Sequence, residues 1–283
     1  MPEMPEVETL RRSLVRARVR APIRDVWRSD KALRTGETWR KESLRSLVGA
    51  TPLRLTRRGK FLLWTLRSAD DERLGWLVHL GMTGRFLVTR GDAPLEPHTH
   101  VVVHLDGDDR QLRFVDPRRF GGMRVAPLAT LRADKPLCDL GPEPLARDFG
   151  GDMLAARAGR SKRALRDVLL DQRVVAGVGN IYMNEALFEA RLHPLAKAHR
   201  LRAAAWQELA VAVQSVLQRG LDNRGTTLRD YRDAQGRRGD NQHALAVYGR
   251  AGEPCTACAS PLRGVAVGGR TTTYCPQCQR RRR

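Results

Sequence analysis

Apolar residues are spaced in three successive ways along the chain, and the changes of spacing divide it. In the stretch Glu6 to Ala17, Val7, Leu10, Leu14 and Val15 share one face while the arginines lie mostly elsewhere, which predicts an amphipathic helix halted by Pro22. From there to about Pro127 the pattern becomes short apolar runs broken by Gly, Pro and Asp. Phe61–Trp64, Leu77–Leu80, Arg85–Val88, Val101–Leu105 and Met123–Val125 are examples, and the spacing predicts a β-sandwich or barrel rather than βαβ units. Leu105-Asp106-Gly107-Asp108 reads as a hairpin turn. After Leu140-Gly141-Pro142-Glu143-Pro144-Leu145 helical spacing returns, with helices expected over Lys162–Leu170, Asn184–Ala190 and Arg200–Arg219. Thr226 to His243 is polar and basic, hence a loop, and the last segment is short, turn-rich and cysteine-bearing. The expected organisation is α+β and multidomain: a sandwich with a leading helix over 1–140, a linker at 141–150, a helical domain over 151–245 and a cysteine-containing module over 246–283.

Charge adds a partner to this outline. The 283 residues carry 51 Lys+Arg against 31 Asp+Glu, a formal charge of +20, which favours a polyanion such as nucleic acid; an arginine-rich composition without functional meaning is the plain alternative. No apolar run approaches the ~20 residues of a membrane span, and the Pro- and Glu-containing N-terminus lacks a signal-peptide layout. A cytoplasmic, reducing location is the expectation, so the five cysteines favour a metal site over disulfides.

Cys255-x-x-Cys258 and Cys275-x-x-Cys278, with 16 residues between the pairs, have the spacing of a four-cysteine zinc ribbon. All four ligand positions are filled by thiolates, so one structural Zn2+ is expected. Cys138 is left over and reads as a small buried residue. Gly268-Gly269-Arg270-Thr271-Thr272, between the pairs, is either a solvated turn or an arginine presented to a phosphate.

The first six residues, Met1-Pro2-Glu3-Met4-Pro5-Glu6, hold two prolines and two carboxylates three apart. Loss of Met1 would leave the secondary amine of Pro2 as the chain start, and an α-amino group titrates near ~8, so much of it is a free nucleophile at neutral pH. Glu3 beside it could move protons; a surface tail is the plain reading of the same residues. Ala176-Gly177-Val178-Gly179-Asn180 is a small-residue turn between helices, with Asn180 as N-cap or phosphate donor. Asp116-Pro117-Arg118-Arg119-Phe120-Gly121 is either a salt-bridged loop with Phe120 in the core or a wedge for base steps, with Arg118 reading a base edge. Met82 is either core or probe, and Lys60, in Arg57-Arg58-Gly59-Lys60, either contacts phosphate or is solvated.

Taken together these motifs resemble the bacterial formamidopyrimidine-DNA glycosylases of the Fpg/Nei superfamily. The matches run in order through Pro2–Thr9, Gly59-Lys60, His79–Met82, Asp116–Gly121, Leu140–Leu145, Leu170-Asp171-Gln172, Gly177–Tyr182, Val247–Arg250 and the cysteine pairs. The resemblance implies an N-terminal β-sandwich, a helix–two-turn–helix domain and a C-terminal zinc ribbon, with damaged double-stranded DNA held between domains. It implies a monomeric DNA-repair enzyme of the bacterial nucleoid, a glycosylase and AP lyase for 8-oxoguanine and ring-opened purines. By the same resemblance Pro2 is the nucleophile on C1′, Glu3 the general acid, Lys60 the proton donor of β-elimination and a phosphate contact, and Arg270 the residue of δ-elimination. His98, Arg118, Lys162 and Asn180 match DNA-binding positions, and Met82, Arg118 and Phe120 match the trio that fills the gap left by the flipped base.

One departure stands out. Relatives usually carry Pro-Gly and an aromatic pair where this chain has Arg238-Gly239-Asp240-Asn241, in the loop that in the family covers the flipped base. Met4 in place of the usual Leu conserves volume. Two rivals share the scaffold: an endonuclease VIII-like enzyme for oxidised pyrimidines, and an inactive damaged-DNA binder. The arginine-containing Asp116–Gly121 motif favours the formamidopyrimidine branch over the first, and the retained Pro2, Glu3, Lys60 and Arg270 oppose the second.

Overall fold

The computed structural model of the chain describes residues 2–31, 33 and 41–280. Met1, whose removal the sequence reading requires, and Arg281 to Arg283 of the terminal basic run lie outside them. In chain order the elements are α1 (Met4–Arg16), β1 (Ile23–Arg28), β2 (Thr51–Arg58), β3 (Phe61–Arg67), β4 (Arg73–His79), β5 (Arg85–Arg90), β6 (Thr99–Leu105), β7 (Arg110–Val115) and β8 (Gly122–Pro127). Then come α2 (Leu128–Ala133), α3 (Gly151–Ala158), α4 (Leu165–Leu170), α5 (Asn180–Glu189), α6 (Ala203–Asp222), β9 (Arg263–Val267) and β10 (Arg270–Tyr274).

The chain forms two compact units, Met1–Cys138 with Asn223–Asp240, and Asp139–Asp222 with Asn241–Arg283. In the first, two antiparallel four-stranded sheets, ordered β1-β6-β7-β5 and β2-β3-β4-β8, make a sandwich. Their inner residues share one core with Val7, Leu10 and Leu14 of α1. Trp76 of β4 meets Phe86 of β5 edge-on at 5.5 Å, bridging the two layers, and its neighbour Trp64 in the same sheet stacks on it at 6.2 Å. Burying side chains of this size from both sheets is the main force holding such a sandwich closed. All five apolar runs named from the sequence fall within or against strands, and Gly107 turns the β6–β7 hairpin at φ 62°.

The segment Asn223–Asp240 joins this first unit although it follows α6 in sequence. As expected it contains no helix or strand; Asn241–Ala244 then forms a single 3-10 turn. Ala234 N–H donates to Ser13 Oγ of α1 (3.0 Å) and Val88 N–H to Ala234 O (2.8 Å), so the segment is stitched to both the helix and a sheet edge.

In the second unit α6 buries Trp206, Leu209, Val213, Val216, Leu217 and Gly220, a helical stripe against its neighbours. Gly220 allows a close approach: a Cβ there would lie 2.5 Å from the Tyr182 hydroxyl of α5. The cysteine-bearing end is the two-stranded β9–β10 hairpin.

Several local readings change: α4 begins at Leu165 and α6 at Ala203, each three residues after the expected start. Helix α5 begins at Asn180, four residues before the expected start, because Ile181, Tyr182 and Met183 are buried and the N-cap is Gly179 in extended backbone. Asn180 is therefore the first helical residue and not the cap. Cys138 is exposed, because in the 3-10 turn Leu137–Asp139 it is Leu137 that takes the inward position.

Candidate functional site

At the head of α1 a proline in the first helical turn and a capping box set the backbone. Glu3 is the N-cap, its side chain accepts the Glu6 N–H, and the Glu6 carboxylate accepts the Glu3 N–H at 2.8 Å. Pro2, Glu3 and Glu6 are all buried, so this is no surface tail. The other carboxylate oxygen of Glu6 accepts Thr226 N–H at 2.7 Å, and Tyr231 donates its hydroxyl to Glu6 O at 3.1 Å. Burial, reinforced by the Glu6 charge, holds the Tyr231 phenol well above its usual range, so it stays a donor.

Lys60 occupies the tight β2–β3 turn after Gly59 (φ 54°) and is only 6% exposed, which removes the solvated reading. The turn is tied to α1: Glu8 accepts Arg57 Nε at 3.3 Å, and Arg57 donates to Gly59 O at 2.9 Å. Burial alone would raise the Glu8 pKa, but hydrogen bonds and charge from Arg11, Arg12 and Arg57 hold it below the usual carboxylate value. His79 is pushed down to about 4 by burial and then by the charge of Lys60. The neutral ring accepts Gly81 N–H at Nδ1 (3.3 Å) and lies 4.7 Å from the Phe61 ring.

Two loops of the sandwich are pinned together by Asp116, which is fully buried. Its carboxylate accepts the Thr83 hydroxyl at 2.5 Å and Gly121 N–H at 2.7 Å. Its N–H donates to His98 O at 2.9 Å, and its carbonyl faces His100 Nε2 at 3.1 Å. Gly81 must be glycine: at φ 61° a Cβ would fall 2.3 Å from the Phe120 carbonyl carbon. These contacts bring the Met82 turn against the Arg118–Phe120 turn. Met82 is 39% exposed, and the Arg118 guanidinium sits 4.7 Å over the Phe120 ring. His98 is exposed on the same framework, at φ 66°. The structure thus assembles Met82, His98, Arg118 and Phe120 at one edge of the sandwich, with Phe120 part-exposed rather than in the core.

The second unit holds the other expected residues. Gln172 shapes the small-residue turn by donating to Val178 O (2.8 Å) and accepting Gly177 N–H (2.9 Å). Asn180, at its end, donates Nδ2 to Thr271 O of β10 at 3.0 Å, which ties the turn to the hairpin. Asn184 Oδ1 accepts Thr273 N–H at 2.6 Å, and Arg166 donates to Thr272 Oγ1 at 2.9 Å. Gly268 and Gly269, both at positive φ, form the hairpin turn, and Arg270 follows them exposed. Lys162 is exposed just before α4.

The four thiols of Cys255, Cys258, Cys275 and Cys278 lie within 4.8 Å of one another, with sulfur pairs at 3.4 and 3.9 Å. A tetrahedron with bonds of ~2.3 Å has sulfur edges of about 3.8 Å, so the cluster fits a metal site. The module is braced from α5: the buried Glu185 carboxylate accepts N–H groups of Ala246 (2.8 Å), Val247 (3.0 Å) and Tyr248 (2.8 Å).

Comparison with known proteins covers the whole of this arrangement. Residues 1–123 match the Formamidopyrimidine-DNA glycosylase N-terminal domain, 140–232 the Formamidopyrimidine-DNA glycosylase H2TH domain, and 252–281 the Zinc finger found in FPG and IleRS. This chain belongs to the formamidopyrimidine-DNA glycosylase family. The glycosylase of Herpetosiphon aurantiacus is 43% identical over 99% of this chain and 100% of its own. The crystal structure of the Thermus thermophilus protein has a TM-score of 0.86 at 39% identity, covering all of both chains. The wild-type Lactococcus lactis protein, solved with an N7-benzyl-Fapy-dG-containing DNA, has a TM-score of 0.89 at 32% identity over 99% of this chain and all of that one.

Sequence reasoning gave no separate role to Asp116, Glu6 or Gln172 within their motifs, nor to Thr83 or Glu185, although each makes the hydrogen bonds that shape a motif. Their signal was faint: each is a polar residue inside or beside an apolar run, where burial demands a partner. In the departing loop, Gly239 N–H donates to the Thr227 hydroxyl at 2.9 Å and Asp240 pairs with Arg224 at 2.6 Å, while Asn241 is buried beside the Tyr182 hydroxyl. Among the described residues no helix is long and apolar enough to cross a membrane.

Proposed function

We propose that this family member excises oxidised purines, 8-oxoguanine and formamidopyrimidines, from duplex DNA and then cleaves the strand by β,δ-elimination. The observation that carries the reading is the fixed, buried Pro2–Glu3 segment at the head of α1, locked by Glu6 and tied to the Lys60 turn through Glu8 and Arg57. An amine used as a nucleophile needs such restraint. The binding of an N7-benzyl-Fapy-dG-containing DNA by the Lactococcus lactis relative supports the lesion class.

The target base must leave the stack before C1′ can be reached. Met82 and Phe120 fill the space it vacates, and Arg118 donates to the orphaned partner base. After removal of Met1, the lone pair of Pro2 nitrogen attacks C1′ and the glycosidic bond breaks; its electron pair leaves with the base, which takes up the proton that the Pro2 nitrogen loses. Glu3 protonates the ring oxygen as the sugar opens to the iminium. Loss of a C2′ proton then expels the 3′ phosphate with proton donation from Lys60, and Arg270 stabilises the 5′ phosphate as the δ-step expels it. His98, Lys162 and Asn180 hold the kinked phosphate backbone. A Zn2+ held by Cys255, Cys258, Cys275 and Cys278 supplies no chemistry to these steps; it fixes the hairpin that presents Arg270. The enzyme acts as a cytoplasmic monomer.

Borohydride trapping on a duplex with 8-oxoguanine opposite cytosine, with mass spectrometry of the adduct, tests the reading. A covalent adduct on Pro2, with Met1 absent and lost in Pro2→Gly, is expected. An adduct formed only on an oxidised-pyrimidine duplex, or tight binding with no adduct on either, overturns it.

A further inference from the structure

The second unit carries a groove of about 880 Å³ at the C-terminal end of α5 and the start of α6, which the proposed chemistry leaves unused. Leu192, Leu201, Ala205 and Val211 are among its lining residues. Val211, 56% exposed, is the most exposed large apolar side chain among the described residues. A concave apolar surface edged by polar groups is a common seat for a ligand or a partner segment.

The charged lining residues say what would sit there. Arg191, Lys197, Arg200 and Arg202 all line the groove and are exposed. None of them forms an ion pair among the described residues, whereas Arg163, Arg166, Arg173, Arg219 and Arg250 of the same unit each have a carboxylate partner. Of the two acidic residues lining the groove, Glu189 is already taken by Arg219 at 3.0 Å. The first turn of α6, which also lines it, has no acidic side chain to offset its dipole. The groove therefore combines apolar side chains with cations that have no carboxylate partner among the described residues.

Phosphate backbone alone does not explain this combination, since it has no apolar group to seat on Leu201 and Val211. The location argues the same way: Asn180 is at the opposite end of α5, about 14 Å away at 1.5 Å per residue. We propose that the groove docks an acidic segment of a partner protein, with one bulky apolar side chain against Leu201 and Val211 and carboxylates against Arg191, Arg200 and Arg202. The mode is that of short linear segments laid into a groove, where apolar anchors give affinity and charges give register.

The test uses the full-length protein and two fluorescein-labelled peptides followed by anisotropy. One alternates aspartates with phenylalanine and leucine; the other has the same charge with serines in the apolar positions. The first should bind about tenfold more tightly than the second, as expected for loss of an anchor side chain. Val211→Ser and the double change Arg191→Glu with Arg200→Glu should each weaken it several-fold, and Val211→Ser should leave lesion-strand cleavage unchanged. Equal binding of both peptides, with displacement by lesion-free duplex, would show a general polyanion surface and overturn the proposal. So would failure of both to bind, or binding that neither variant weakens.

Discussion

Glu6 holds the backbone N–H of Glu3 with one carboxylate oxygen and, 2.8 Å away on that side, fixes the direction in which the chain enters α1. Its other oxygen holds Thr226 N–H at 2.7 Å. A single buried side chain thus sets both the proposed catalytic segment and the returning loop.

Glu6→Ala leaves two buried N–H groups without acceptors, each worth about 1–3 kcal/mol. The expected outcome is a stability loss of about 3 kcal/mol in urea unfolding and a fall in borohydride-trapped adduct larger than the fall in duplex affinity. Glu6→Gln keeps one acceptor oxygen and should lose less of both.

Glu185→Ala removes the shared acceptor of the N–H groups of Ala246, Val247 and Tyr248. Three orphaned donors should cost about 3 kcal/mol or more. Zinc release to a chromogenic chelator should be faster than in the parent protein, with the cysteines untouched; an unchanged release rate would mean that Glu185 does not brace the module.

Cys255→Ser opens the thiolate cluster. Metal analysis should find less than one zinc per chain, and gel-shift affinity for lesion duplex should fall with it. Stoichiometric zinc with normal binding would show that the cluster is not what holds the hairpin.

His79 makes stability depend on pH. Its pKa is about 4 in the fold against 6.5 in the unfolded chain, so between those values the unfolded state binds more protons. The contribution is fully present above about 6.5 and is lost as pH falls toward about 4. With one pKa unit worth about 1.4 kcal/mol, the loss should be about 3 kcal/mol. His79→Asn keeps an acceptor for Gly81 N–H and should flatten the fall of the urea midpoint over that range.

Much of this was legible in the sequence because strands and helices leave periodic marks. Val101, Val103 and Leu105 alternate into the core, and the α6 stripe recurs every three or four residues. The cysteine pairs were legible because metal geometry constrains spacing directly. The start of α5 was not, since Gly177-Val178-Gly179 looks like a turn right up to Asn180, and only the burial of Ile181 and Tyr182 extends the helix. Cys138 misled because small thiols are commonly buried, and a 3-10 turn put Leu137 inside instead. Least legible was the company kept by Glu6 and Thr226, 220 positions apart, for which no local pattern exists.

That separation sets an order of events during synthesis. The acceptor on α1 leaves the ribosome at the outset, whereas its donor emerges only after α3 to α6 have been made. A nascent chain halted after Asp222 would hold a sandwich whose Glu6 and Ser13 lack their Thr226 and Ala234 partners. Neither compact unit corresponds to one uninterrupted piece of the chain, so no single cut yields either one whole. The proposed nucleophile would thus receive its last support late in translation, which delays a competent lyase until nearly the entire polypeptide exists.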